Sequence, residues 1–225
     1  MGLAQCGMRS GDFAGAVKHC DAALSLRPRF EEALTTRGEA HALAGEWKAA
    51  LEDYDAALAL NPQNGDVLYQ RARAREAQDD PKGAEADYGE VLRLNPSDLE
   101  ARNRRGALRK AAGNLDGAAQ DFTAGLAVDP KNVALLTNRA GVYLEQQDND
   151  RAWEDVNAAL SIDPKFPNAL ASRAVLKRDR GDHDGALEDL RLALEVAPRE
   201  WPVRGWAERL LQKIQDEKPE EKKAE

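Results

Sequence analysis

Acid–base, nucleophilic or metal chemistry needs histidine, cysteine or carboxylate groups brought together at suitable spacing, and in this 225-residue chain they are scattered. The three histidines, His19, His41 and His183, lie far apart, and none has a second His or Cys at metal-ligand spacing. The stretch DNDRAWED, Asp148 to Asp155, alternates acids but lacks the glycine and the terminal glutamate of a calcium loop. It reads as a turn followed by a helix start. There is no glycine-rich phosphate loop and no nucleophile elbow. Serine is scarce, and no Ser or Cys is placed beside a His by spacing. The two cysteines, Cys6 and Cys20, are too few for a disulfide framework. A bond between them is geometrically conceivable, but the reading is two reduced, partly buried thiols. No catalytic residue, cofactor or metal is expected.

One charged pattern is regular. Arginine stands at Arg37, Arg71, Arg105, Arg139 and Arg173, and aspartate sixteen residues later at Asp53, Asp87, Asp121, Asp155 and Asp189. Two chemistries fit: an ion pair between two helices of one repeat, or a ladder of arginines that binds phosphate or carboxylate ligands. Thirty-four residues before Arg37 and Asp53 stand Leu3 and His19, so both members are missing together. That favours the pair. A half-exposed pair contributes about 1 kcal/mol or less, and its larger role is to fix helix register.

The same period governs the elements that carry these residues. Apolar runs end at Arg27-Pro28, Asn61-Pro62, Asn95-Pro96, Asp129-Pro130, Asp163-Pro164 and Ala197-Pro198, at a constant spacing of 34 residues. Proline lacks an N–H and disfavours the α conformation in the residue before it. A fixed period between 20 and 50 residues signals a solenoid, in which neighbouring repeats share one core. With proline at position 32, the complete repeats are 31–64, 65–98, 99–132, 133–166 and 167–200, preceded by a partial repeat over 1–30. Each reads as two helices with a short turn. Position 8 is small (Ala4, Gly38, Ala72, Gly106, Ala140, Ala174) and position 20 is always alanine (Ala16, Ala50, Ala84, Ala118, Ala152, Ala186). Position 27 is small except at Val91, and position 24 carries a larger plug: Cys20, Tyr54, Tyr88, Phe122, Val156 and Leu190. Small residues let two helix backbones approach closely. Position 15 is glycine at Gly11, Gly45, Gly113 and Gly181, which permits a left-handed turn; Asp79 and Gln147 replace it in two repeats.

This pattern resembles the tetratricopeptide repeat, a 34-residue helix–turn–helix unit with small residues at 8, 20 and 27, an aromatic near 24 and proline at 32. The resemblance covers residues 1 to about 200. It implies an all-α fold: a right-handed superhelical solenoid of antiparallel helix pairs. After Pro198, Val203, Ala207, Leu210, Leu211 and Ile214 recur at helical spacing, so 201–216 reads as a capping helix. Trp201 and Trp206 are expected to pack at this cap. The tail over 217–225 is charged and apolar-poor and is expected to be disordered.

The resemblance further implies that the first helices line a concave groove through positions 2, 5, 9, 12 and 13. On this chain that face holds Glu32, Thr35, Glu39, Ala42 and Leu43; then Asp66, Tyr69, Arg73 and Glu76; then Glu100, Asn103 and Lys110. Thr137, Leu144 and Glu145 follow, and last Asn168, Val175, Arg178 and Asp179. Seven acids face three bases, so the groove is acidic toward its N-terminal half and more apolar at Leu144 and Val175. A partner peptide with basic and small apolar residues fits that face. Some family members grip acidic chaperone tails through a clamp of Lys, Arg and Asn. Only Asn138 matches it here, with Asn103, Ala107, Asn168 and Ser172 at the other places, so that partner is not expected.

Composition narrows the classes further. A formal charge of −8 without a basic cluster argues against nucleic acid. No apolar run approaches 18 residues, and LAQC (Leu3 to Cys6) lacks the context of a lipoprotein signal, so neither a membrane span nor a lipid anchor is expected. A cytoplasmic protein-interaction scaffold is the reading. Two alternatives follow from the incomplete first repeat: the chain is the accessory binding region of a larger protein, catalytic or not, whose N-terminal part is missing, or it self-associates through its uncapped N-terminal end.

Overall fold

The computed structural model describes residue 4, residues 7–9 and residues 11–217. Cys6 and the tail beyond Glu217 lie outside the described residues. Within them every regular element is helical. After a short helical stretch at 7–9 come α1 (Phe13–Leu26), α2 (Glu31–Leu43), α3 (Trp47–Leu60), α4 (Gly65–Ala77), α5 (Pro81–Leu94) and α6 (Leu99–Ala111). Then follow α7 (Leu115–Val128), α8 (Val133–Glu145), α9 (Asn149–Ile162), α10 (Pro167–Asp179), α11 (His183–Val196) and α12 (Arg204–Glu217). The chain forms two compact halves, one ending at Arg109 and the other beginning at Lys110. In the N-terminal half α1 packs on α2, α2 on α3, α3 on α4 and α4 on α5. In the C-terminal half the pairs are α7 with α8, α8 with α9, α9 with α10, α10 with α11, and α11 with α12.

Local chemistry sets the helix ends. Asp12, Asp80, Asn114, Asp148 and Asp182 each cap the second helix of a repeat, the side chain accepting the backbone N–H three residues on. Asn64 and Asn132 do the same for the first helices α4 and α8. The turn between the helices of a repeat is left-handed at Gly11, Gly45, Gly113 and Gly181, with φ from 78° to 82°. The same conformation persists where glycine is absent, at Asp79 (φ 58°) and Gln147 (φ 61°). The packing of the two flanking helices outweighs the local cost of a side chain there.

The core is a run of fully buried small residues and plugs. The position-20 alanines and the six plugs from Cys20 to Leu190 all have no exposed surface. Close approach requires the small residue at position 8. A Cβ added to Gly38 would lie 2.7 Å from Cε1 of Tyr54. At the C-terminus α12 buries Ala207, Leu210 and Ile214, while Arg204 Nη2 donates to the carbonyls of Leu194 and Ala197 at the end of α11.

Candidate partner-binding surface

In four repeats the position-7 arginine and the position-23 aspartate tie the helix pair together. Arg37 Nε and Nη2 donate to the Asp53 carboxylate at 2.9 and 2.6 Å. Arg71 meets Asp87, Arg139 meets Asp155 and Arg173 meets Asp189 in the same two-pronged geometry, at 2.7–2.9 Å. Arg105 and Asp121 fall one in each half; Asp121 is buried. All four bonded aspartates are buried, and hydrogen bonding to them is the main cause that holds the Arg37, Arg139 and Arg173 guanidiniums above their ordinary range. These arginines are spent on protein carboxylates and do not form an open anion-binding ladder.

Sequence reasoning missed two further members of this network. In three repeats the remaining guanidinium nitrogen of the arginine reaches the preceding repeat: Arg37 Nη1 to Asp21 at 2.5 Å, Arg71 Nη1 to Asp55 at 2.7 Å, and Arg139 Nη1 to Thr123 Oγ1 at 3.1 Å. So the arginine binds within its repeat and across to the neighbour. A second cation one turn further along also meets the aspartate in two repeats. Arg75 Nη1 lies 2.7 Å from Asp87, and Lys177 Nζ lies 3.0 Å from Asp189. The signal was present as a basic residue four positions after the arginine, but the irregular series His41, Arg75, Arg109, Tyr143, Lys177 hid it.

On the exposed side of the first helices, the N-terminal half carries a polar cluster. Tyr69 Oη donates to Glu100 and accepts from Arg104 Nε at 3.0 Å. Tyr88 Oη donates to Glu76, and Arg104 Nη1 stands 3.5 Å from the same carboxylate. The two tyrosine rings meet edge-on at 5.5 Å. Burial, then the bond to Glu100, pushes the Tyr69 phenol up to about 12. Of the proposed groove residues this brings together Tyr69, Glu76 and Glu100. Arg104 and the plug Tyr88 complete the cluster from positions outside that list. Glu39 and Asp66 line the same hollow as Tyr69 and Glu100. Glu32, Asp66 and Arg73 are exposed, Asn103 is half-buried, and Thr35 places its hydroxyl in the interior without a hydrogen-bond partner.

The C-terminal half has a larger recess of about 450 Å³ on the first-helix side. Its floor and walls come from Lys110 (α6), Thr137, Asn138, Gly141, Leu144 and Glu145 (α8), and Asn168, Ala171, Ser172 and Val175 (α10). Lys110 Nζ pairs with Glu145 at 3.0 Å, which neutralises one rim. Thr137 is buried and spends its hydroxyl on the Val133 carbonyl. Arg178 turns aside to Asp179 at 2.7 Å and does not line the recess. The capping segment closes the far end with Val203 and Trp206. The two cap tryptophans differ. Trp201 is buried and donates Nε1 to Asn168 at 2.6 Å, whereas Trp206 keeps 40 % of its surface exposed and forms a wall. Trp201 is packed in full at the cap, and Trp206 only in part. Trp206 directly precedes the buried Ala207 on α12 but points to the turned-out face, which periodicity read from Val203 did not separate.

Among the described residues no group of three His, Cys, Asp or Glu side chains could hold a metal ion. No helix there is long and apolar enough to cross a membrane. The single described cysteine, Cys20, is buried and free, and burial raises its thiol.

Comparison with known proteins agrees with the architecture. Two family models described as tetratricopeptide repeat match, one over residues 1–65 and 69–124, the other over 109–176. No curated protein sequence matches the chain. Among solved structures, YrrB, a TPR protein with an unusual peptide-binding site, superposes with TM-score 0.69 at 25% identity, over 76% of this chain and 88% of YrrB. A tetratricopeptide repeat protein from Parabacteroides merdae gives 0.63 at 24% identity, over 95% and 82% of the two chains. A thermophilic TPR protein of Thermus thermophilus gives 0.61 at 23% identity, over 81% and 100%. Proteins of this kind generally mediate protein–protein interactions and are typically non-catalytic. With paired helices, small-residue contacts and family models matching well over half its length, the chain belongs to the tetratricopeptide repeat family.

Proposed function

We propose that the chain is a non-catalytic interaction module that binds an extended segment of a partner protein, with the recess of the C-terminal half as its main anchoring site. The observation that carries this reading is Trp206, an indole left 40 % exposed at the end of a 450 Å³ recess. Leu144, Val175 and Val203 continue its apolar surface, and Asn138, Asn168 and Ser172 supply amide and hydroxyl groups beside it. Apolar walls with a few placed polar groups are the usual make-up of a binding site, and a volume of roughly 300–1,000 Å³ is its usual size. Tryptophan is among the side chains enriched at the energetic anchors of interfaces. The preformed surface holds down the ordering cost on the receptor side. The acidic hollow of the N-terminal half, with Glu39, Asp66, Asp98 and Glu100, favours a segment that also carries basic residues. The peptide-binding site named for YrrB is a property of that protein; its resemblance to this chain lends the reading support.

The test is selection of peptides from a random library on the full chain, followed by titration of the winners against Trp206→Ala and Leu144→Ala. Affinity is expected to fall by about tenfold or more in each, as for central anchors of an interface, with melting unchanged. Winners that bind both variants as tightly as the parent refute the site.

A further inference from the structure

Position 21, on the second helix of each repeat, carries a larger side chain at Val17, Leu51, Glu85, Trp153 and Leu187, and only a methyl group at Ala119. The repeat after Ala119 shows how the position is filled. Trp153 on α9 lies against the guanidinium of Arg180, whose Cζ is 4.0 Å from the ring centroid, and Arg180 Nη2 stands 3.6 Å from Asp150. Thirty-four residues earlier the counterparts of Trp153, Arg180 and Asp150 are Ala119, Gln146 and Asp116. Gln146 Nε2 donates to Asp116 Oδ1 at 2.9 Å, so the polar link is kept while the ring is lost. A recess of about 560 Å³ lies at this place, and all three residues line it.

Ala119, Thr123 and Ala127 of α7 give the recess a floor of short side chains. Thr123 and Ala127 are exposed there, whereas Asn157, the counterpart of Thr123 beside Trp153, is half-buried. Short side chains alone would accept any apolar group. The charged residues at the wall are more selective. Arg151 of α9 lines the recess. Its Nε and Nη2 each lie 2.6 Å from Asp148 Oδ2, and its Cζ lies 4.3 Å from the centroid of the Tyr143 ring. The guanidinium is thus fixed in place before any partner arrives. A planar cation has two faces, and Tyr143 covers one; the side chain keeps 57 % of its surface exposed. An exposed guanidinium face attracts the π face of an aromatic ring. Asp116, the acid at the same wall, uses Oδ1 for Gln146 and is an acceptor for a further N–H donor.

We propose that this recess is a slot for a tryptophan side chain of a partner protein. The ring lies on Ala119, Thr123 and Ala127, in the place that Trp153 takes in the next repeat, with its face toward the Arg151 guanidinium and its N–H donating to the Asp116 carboxylate. An indole is a large apolar ring with a strong π face and one N–H donor, which matches a short-chain floor, a fixed guanidinium and an acid. The chain's own Trp153, held by Arg180, shows that the array accommodates an indole at this position. The slot shares no residue with the Trp206 recess, so it is a second surface, on the second helix of its repeat.

The test is an NMR titration of the full chain with N-acetyl-tryptophanamide, followed at the isotope-labelled methyl groups of Ala119 and Ala127 and at the indole N–H of Trp206. Saturable shifts of both methyls are expected, with a Kd of about 0.1–1 mM, the scale for a ligand of this size. The cyclohexylalanine analogue keeps the apolar bulk but lacks the π face and the N–H, and should bind about fivefold more weakly. Ala119→Trp supplies the ring of the next repeat, and Ala119→Leu supplies the residue of the repeats 31–64 and 167–200. Both should abolish the shift of Ala127 while keeping or raising the melting temperature. The proposal is overturned if the cyclohexylalanine analogue binds as tightly, if either folded plugged variant binds unchanged, or if the only saturable response is at Trp206. None of these readouts depends on the peptide test at Trp206→Ala, so the two readings fail separately.

Discussion

Removing the position-7 arginine should cost different amounts in two repeats that look alike in sequence. In the repeat 133–166 both oxygens of Asp155 are held by Arg139, at 2.7 Å each, and position 11 is Tyr143 rather than a base. Asp155 is 6 % exposed. Arg139→Met therefore leaves a buried carboxylate without a cation, and breaking a buried pair in this one-sided way costs about 3–5 kcal/mol. The guanidinium is one-fifth exposed, so water relieves part of the loss and about 3 kcal/mol is the working figure. In the repeat 65–98 Asp87 keeps Arg75 Nη1 at 2.7 Å after Arg71→Met. The Asp55 carboxylate that Arg71 also held is exposed and returns to water. The cost there should be about 1 kcal/mol, the scale of a replaceable pair. Urea unfolding of both variants, with amide hydrogen exchange in α8–α9 and α4–α5, reads the two losses locally, as repeat arrays allow. Equal costs in the two repeats, or less than about 1 kcal/mol for Arg139→Met, would refute the idea that a second cation at position 11 is what protects the buried aspartate.

Three other perturbations follow from the same geometry. Gln147 holds a left-handed φ of 61° where other repeats use glycine, so Gln147→Gly should raise stability by about 0.5–1 kcal/mol in urea unfolding, against a loss of similar size for Gly45→Ala at φ 80°. Asp80 caps α5 by accepting the Gly83 N–H at 2.9 Å, and Asp80→Ala should cost about 1 kcal/mol, restored by Asp80→Asn. Glu39 has its folded carboxyl raised above the unfolded value, so the folded state holds that proton more tightly and stability falls as pH rises through the raised range. Glu39→Gln should therefore melt higher than the parent at neutral pH, with the difference vanishing below the ordinary carboxylate range.

The repeat frame was legible because it rests on residues whose physical demands recur without exception. Proline at 28, 62, 96, 130, 164 and 198 stops a helix whatever surrounds it, and alanine at position 20 is dictated by backbone approach. The fold follows from such positions because each contact they make is repeated, and repetition can be read from spacing. The surface is set by positions where the repeats differ, and there spacing is silent. Arg104 joins Tyr69 to Glu76 only because those three residues coincide in adjacent repeats. Trp206 lines a recess because α12 presents that face outward, whereas Trp201, five residues earlier, turns in to Asn168.

Position 12 shows how a local difference enters a structural repeat. The plug tyrosine is the same in two successive repeats, and the small residues around it keep its ring in the same place. Glutamate at 76 accepts from the plug hydroxyl; with alanine at 42 the hydroxyl of Tyr54 stays buried without a partner, and a recess lies beside the ring. Because the plug is buried in both, the fold tolerates either state at the cost of one unmade hydrogen bond, about 1–3 kcal/mol. A repeat array spreads its stability over many similar interfaces, so it can carry that deficit in one repeat. Ala42→Glu measures the deficit directly. A variant more stable than the parent in urea unfolding is the expected result, because the introduced carboxylate would then accept from the Tyr54 hydroxyl as Glu76 does from Tyr88, and a variant no more stable than the parent would refute the view that the unmade bond at Tyr54 is a deficit of that repeat.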